Sequence, residues 1–230
     1  MTPRQSISIS IRNRLFSLLL LLMAAMQAQA QGFLKFERDT VPLMRGFTVT
    51  GDLVGLGQML LRDYGQYEAA VQLNLHDQYF PTVEVGYGRA NHEVDDVTGL
   101  SYKTQAPYFR LGADVNIMKK KHTGNRVFVG VRYGFTSYKI DVALAQIDDP
   151  VWKWPTSFDV RGQQCSQHWA EVLFGLSARV LGPLRLGWTA RYRIRIKHND
   201  GMLGNTWYVP GFGEQDSSAL GATFNVGVDL

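Results

Sequence analysis

The chain has 230 residues, a formal net charge of +4 and one cysteine, Cys165. A lone cysteine excludes an internal disulfide, so packing or a membrane must hold the fold. Three of the four net positive charges come from Arg4, Arg12 and Arg14, and the remainder is too close to neutral for a nucleic-acid surface.

Those arginines lead into an apolar run at 15–26 and then Ala28-Gln29-Ala30. A basic start, a short apolar stretch and small residues at the end predict a signal peptide over 1–30, cleaved after Ala30. The run is too short to span a bilayer comfortably. Gln31 stands where a lipoprotein would carry its acylated cysteine. Residues 31–45 read as a lead-in and 46–230 as one barrel domain. No later stretch approaches eighteen consecutive apolar residues, so any spanning must be done by strands.

Eight runs of period-two alternation follow, at about 46–61, 66–75, 79–89, 106–118, 126–141, 168–180, 184–197 and 218–230. The connections at 90–105, 142–167 and 198–217 are long, and those at 76–78, 119–125 and 181–183 are short. That parity suits a barrel with short periplasmic turns and long outer loops. The faces are also split. Ala170, Val172, Phe174, Leu176 and Trp188, Tyr192, Ile194 share one side, while Glu171, Arg179, Arg185, Arg191, Arg193, Arg195 and Lys197 share the other. Charges at that density cannot face lipid, where a basic residue at the midplane costs ~2–4 kcal/mol, so they point into a polar lumen. The first run fits worst, because Gly51, Gly55 and Gly57 fall on its outward face, and a bulge or register change is expected there. The prediction is an all-β, antiparallel, up-and-down transmembrane barrel of about eight strands in the outer membrane, preceded by a cleaved signal peptide.

Three segments carry a resemblance: Gly65-Gln66-Tyr67-Glu68, Tyr79-Phe80-Pro81 with Glu84-Val85-Gly86-Tyr87-Gly88, and Gly130-Val131-Arg132-Tyr133-Gly134. They resemble an uncharacterised family of small bacterial outer-membrane barrels, defined as a domain of unknown function, over most of 46–230. The resemblance implies the location and fold and brings no catalytic residue or ligand. In architecture the chain is also similar to the eight-stranded OmpA, OmpX and OmpW barrels, by pattern and not by motif.

Inward charges include Glu68, Glu84, Asp114 and Glu171, with Asp52 and Asp229, against Arg110, Arg132, Arg179, Arg185, Arg191, Arg193, Arg195 and Lys197. They can line an anion-selective pore or neutralise one another. Eight strands leave an interior only about wide enough for side chains, which favours an ion-pair network. A turn at Leu181-Gly182-Pro183 would set Glu171 opposite Arg193, and Arg179 opposite Arg185, a pair that needs Asp229 nearby. His92, Asp95, Asp96, Asp148, Asp149, Ser166, His168, His198 and Asp200 cluster toward the outer rim, as a hydrolytic site or a histidine metal site would require. No spacing fixes a nucleophile beside its base or a ligand set, so no catalytic or metal residue and no cofactor is assigned. Trp152, Trp154, Trp207 and Tyr208 give the outer loops rings that could meet a glycan or an envelope protein, or pack over the barrel mouth. Lys119-Lys120-Lys121 reads as a solvated turn. The function expected is structural or interactive at the envelope, with outer-membrane lipid as a partner and an envelope protein or glycan as the candidate partner of the outer loops. A rim enzyme, lipid-modifying or proteolytic, and a narrow channel are the alternatives.

Overall fold

The computed structural model describes residues 41–92, 100–148, 155–199, 201 and 206–230. The expected signal peptide, most of the lead-in, Trp152, Trp154, Asp95, Asp96, Asp149 and Asp200 lie outside the described residues. The strands are β1 (Met44–Asp52), β2 (Tyr64–Leu75), β3 (Tyr79–His92), β4 (Leu100–Asn116), β5 (Arg126–Asp148), β6 (Pro155–Leu181), β7 (Leu184–Asn199), the two-residue β8 (Tyr208–Val209) and β9 (Gly213–Glu214), and β10 (Ser218–Asp229). Eight of them close into an antiparallel barrel in the order β1-β10-β7-β6-β5-β4-β3-β2, and β8 pairs with β9 as a separate small hairpin.

Side chains alternate out and in along each strand. Val83 and Val85, Phe109 and Leu111, Val131 and Tyr133, Phe174, Trp188, Tyr192 and Ile194 are all exposed on the outer surface. Their neighbours Glu84, Arg110, Arg132, Glu171, Arg191 and Arg193 are buried inside. On β6 the apolar belt runs from Val172 to Val180, or ~20–25 Å along the axis once strand tilt is allowed for, the height of a hydrocarbon core.

Three expectations are corrected. First, the run at 46–61 is not one strand: β1 stops at Asp52 and Leu53–Leu61 forms a helix, α1. The Asp52 carboxylate accepts hydrogen bonds from the Val54 and Gly55 amides at 3.0 Å each, capping α1. It also accepts from Phe224 N at 3.2 Å. Above Asp52, β2 and β10 lose the strand between them, and α1 packs against both. A Cβ on Gly55 would lie 2.5 Å from the Gln66 carbonyl, so the helix can sit this close only with glycine there. The β1–β2 register shift falls between Met44 and Phe47, not at the glycines.

Second, 90–105 and 142–167 are mostly strand. Pairing continues to His92 opposite Tyr102 and to Asp148 opposite Pro155. The outward residues there are polar, among them Arg89, Lys103, Gln105, Lys139 and Asp141, so the ladder outlives the apolar alternation that reveals it in sequence. Third, Thr206–Glu214 folds into the lumen rather than reaching outward: Val209 and Phe212 are fully buried.

The short turns close as expected. Leu181 pairs with Leu184 around Gly182, whose φ of 53° suits glycine. At 76–78 both His76 and Asp77 adopt positive φ, and the Asp77 amide donates to Asn74 Oδ1 at 2.8 Å, holding the turn.

Trp188 faces out from the short-turn half of β7, within the apolar belt. Trp188→Arg should reduce refolding stability in liposomes by ~2–4 kcal/mol; unchanged refolding would mean that the outer face is not in lipid.

Candidate functional site

The lumen is the site. Four carboxylates, Glu68 on β2, Glu84 on β3, Asp114 on β4 and Glu171 on β6, meet four guanidiniums, Arg110 on β4, Arg132 on β5, and Arg191 and Arg193 on β7. Each comes from an inward position of its strand, and each is nine-tenths or more buried. Glu84 is the hub. It receives Arg191 at 2.6 Å, Arg132 at 2.9 Å and Arg110 at 3.1 Å, one donor from each of three strands.

Arg132 holds Asp114 in a two-pronged contact of 2.7 and 2.9 Å. Arg110 contacts Glu68 closely and reaches Glu171 at 2.9 Å. Glu171 lies opposite Arg193 in the ladder, as the turn predicts. The pair is long, 3.5 Å, and Arg110 is the nearer partner. Four positive and four negative charges are thereby matched in a space too small for bulk water. Isolated, each would bear a desolvation penalty of several kcal/mol.

Above this layer stand inward rings, each seated over a glycine on the neighbouring strand. Tyr108 lies opposite Gly86 and Trp169 opposite Gly134. A Cβ at Gly86 or Gly134 would fall 2.2 Å from a ring atom, so both rings need a bare backbone beneath them. Their polar atoms join the charge layer: Tyr108 OH donates to Glu68 at 2.8 Å and Trp169 Nε1 to Glu171 at 2.7 Å.

The β8–β9 hairpin rests on this platform and closes the long-loop end. Arg110 donates to the Gly211 carbonyl at 2.7 Å, Arg193 to the Phe212 carbonyl at 2.8 Å, and Tyr102 OH to the Tyr208 carbonyl at 2.8 Å. Phe212 meets Trp169 edge to face with ring centroids 6.0 Å apart. Tyr208 is therefore a buried plug residue, not an outer contact, while Trp207 stays partly exposed against Tyr64, His92 and Tyr102.

The short-turn end carries a second charged layer. Arg179 and Arg185 face each other across the ladder and share Asp229, at 2.6 and 3.1 Å. Asp77 receives Arg45, His122 at 2.8 Å and Asn74 at 2.8 Å. Burial raises the Asp77 carboxyl pKa, but the hydrogen bonds from Asn74, His122 and Arg45 outweigh it and hold it below the ordinary value of 3.8.

Arg195 leaves the expected set. It pairs with Trp169 in the last step before a register shift, and it is exposed. The rim residues do not assemble either. His168 faces outward against Tyr133 OH, at 2.6 Å, and Phe135; His92 lies 3.3 Å from Asp63; Ser166 pairs with Asn199 in the ladder. Among the described residues no cluster of three or more His, Cys, Asp or Glu is placed to hold a metal. Sequence reasoning missed Arg126, which opens β5 beside a turn and is buried, its guanidinium 4.2 Å above the Phe80 ring. It also missed the inward rings, whose available signal was a glycine directly across the hairpin.

A closed antiparallel barrel with an apolar belt outside and neutralised charge inside is a transmembrane β-barrel with a filled lumen. The chain belongs to the family described as Domain of unknown function (DUF6048), whose model matches residues 8–229. No curated protein sequence matches it. Among solved structures it is similar to Neisserial surface protein A (13% identity, 81% of this chain and 99% of that one, TM-score 0.45). It is also similar to a major outer membrane protein from Thermus thermophilus (12%, 81% and 100%, TM-score 0.43) and to CarO from Acinetobacter baumannii (11%, 84% and 100%, TM-score 0.37).

Two outcomes test the site. Glu84→Gln removes the shared partner of three arginines and should cost ~3–5 kcal/mol on refolding. A double-mutant cycle should then give stronger coupling for Glu84–Arg191 than for Glu171–Arg193; the reverse order would contradict the geometry. Asp77 contributes its full share of stability above the ordinary aspartate pKa and loses it as pH falls through the lowered folded-state value. Acid unfolding of Asp77→Asn should therefore show a shallower loss of stability below about pH 4 than the parent does.

Proposed function

We propose that this chain is a non-enzymatic outer-membrane barrel, sealed to solutes, with a structural or interaction role at the cell envelope. The observation that carries this reading is the filled lumen. Within the charge layer the remaining cavity is about 40 Å³, room for one or two waters, and the plug hairpin lies over it. A conducting pore needs a continuous water column, and a hydrolase needs a nucleophile beside its base.

The apolar belt supports the membrane assignment, since a water-soluble barrel of this size would turn its apolar side chains inward. Short turns in such barrels lie on the inner side, which supports a periplasmic side for the 76–78, 117–125 and 182–183 connections and an outer side for the extended β3–β4 and β5–β6 hairpins. Outer-membrane lipid is then the first partner. The half-exposed Trp207, beside Tyr64, His92 and Tyr102, supplies a ring surface on which a glycan or envelope protein could stack.

The protein reconstituted in planar bilayers should show no steady conductance, and a reproducible open state would overturn the sealed-lumen reading. For orientation, single cysteines replacing Arg161 and Lys120, in a Cys165→Ser background, should be labelled and protected respectively in intact cells. Labelling at Lys120 alone would invert the barrel.

A further inference from the structure

The short-turn end holds more positive charge than its carboxylates can neutralise. A polar cavity of about 130 Å³ opens there, lined by Arg45, Lys121, His122, Arg126, Arg179 and Arg185 against Asp77, Asp229 and the terminal Leu230. Three of the five lysine and arginine cations are matched: Arg45 contacts Asp77, and Arg179 and Arg185 share Asp229. Two are not. Lys121 Nζ reaches the neutral Gln78 Oε1 at 3.3 Å, and Arg126 Nη2 donates to the neutral Gln72 Oε1 at 2.7 Å.

Arg126 is the telling case. It is 7% exposed, and among the described residues no carboxylate lies within ion-pair distance of it. A guanidinium buried without a counterion is costly, whereas the same chain satisfies every guanidinium in the layer above with carboxylate. These two uncompensated cations border a cavity with room for about four waters or one tetrahedral oxyanion.

We infer that this vestibule is a binding site for a phosphate group, held by Arg126 and Lys121. Phosphate fits because its dianionic form brings ~1.5–2 negative charges at neutral pH, about twice what a carboxylate offers against this excess. Guanidinium also matches phosphate oxygens with two parallel donors. The group can arrive as free inorganic phosphate or as the headgroup phosphate of a phospholipid in the facing leaflet. The headgroup is a phosphodiester with one negative charge and two unesterified oxygens, so it offers the same two side chains less charge than the free dianion does.

The test uses the whole barrel refolded in a neutral maltoside detergent and titrated calorimetrically with inorganic phosphate at constant ionic strength. Saturable one-to-one binding is expected, weakened about tenfold or more in Arg126→Gln and in Lys121→Gln, the loss of one charge-assisted hydrogen bond. Lys121 sits on a turn, so its variant keeps the test sound should Arg126→Gln fail to fold. Lys139→Gln, which removes one charge near the opposite end, should bind as the parent does. If free phosphate does not bind, native mass spectrometry after incubation with phosphatidylethanolamine–phosphatidylglycerol vesicles decides the source. Phospholipid retained by the parent and lost in Lys121→Gln assigns the site to a headgroup. Absence of both kinds of binding, or equal weakening in Lys139→Gln, overturns the site.

Discussion

Neutralising charge inside a low-dielectric tube is the constraint on which the rest of this barrel depends. Glu84, buried among Arg110, Arg132 and Arg191, is stable only while all three arrive from their separate strands. The demand fixes register as well as fold. A one-residue slip of β3 would send Glu84 into lipid and bring Val83 or Val85 against three guanidiniums. The plug depends on the same layer, because Arg110 and Arg193 each donate one further hydrogen bond, to the carbonyls of Gly211 and Phe212. Charge pairing below and hairpin docking above are thus one cooperative unit, and removing either leaves buried donors unsatisfied.

A second constraint shapes the wall. Lipid offers no hydrogen bonds, so a spanning sheet cannot leave strand edges open. Here β1 ends at Asp52, level with Asn225 on β10 and beyond Gly51 opposite Ala69 on β2. The upper parts of β2 and β10 face a gap, and α1 fills it with an element whose own backbone is internally paired. Asp52 serves both sides of the junction by capping α1 and accepting from Phe224 N. The exposed Leu56, Leu60 and Leu61 continue the apolar outer surface across the gap. At the opposite end the charge rule is relaxed, and Arg126 and Lys121 face neutral amides. That departure from the pattern of the central layer is what marks the vestibule as a place for a ligand.

Much of this was legible from residues alone. Alternation within the lipid belt is enforced uniformly, so Val172, Phe174 and Trp188 on one side and Glu171, Arg191 and Arg193 on the other reveal both strand and face. Above the belt the outer face meets water while the inner face packs on the plug, as Tyr138, Ile140 and Cys165 do, so the continuation of β5 and β6 lacks the lipid-facing apolar rhythm that marks a spanning strand. The apolar run 53–61 suits a strand as well as a helix by composition, and only the short reach of β1 decides for the helix. Arg195 shares the alternation of Arg191 and Arg193 and lies opposite Trp169, yet it is exposed.

The sequence by itself determined a membrane barrel of eight strands, which residues face lipid and which carry the inward charge, because side-chain alternation is a local property of each strand. Tertiary structure decided who partners whom. Glu84 meets Arg191 across 107 positions of sequence and Arg110 meets Gly211 across 101, contacts that come into being when the sheet closes on itself and the loop after β7 turns inward. The identity of a lumen charge is written in the chain; its neutralisation, or its lack at Arg126, is a property of the closed tube.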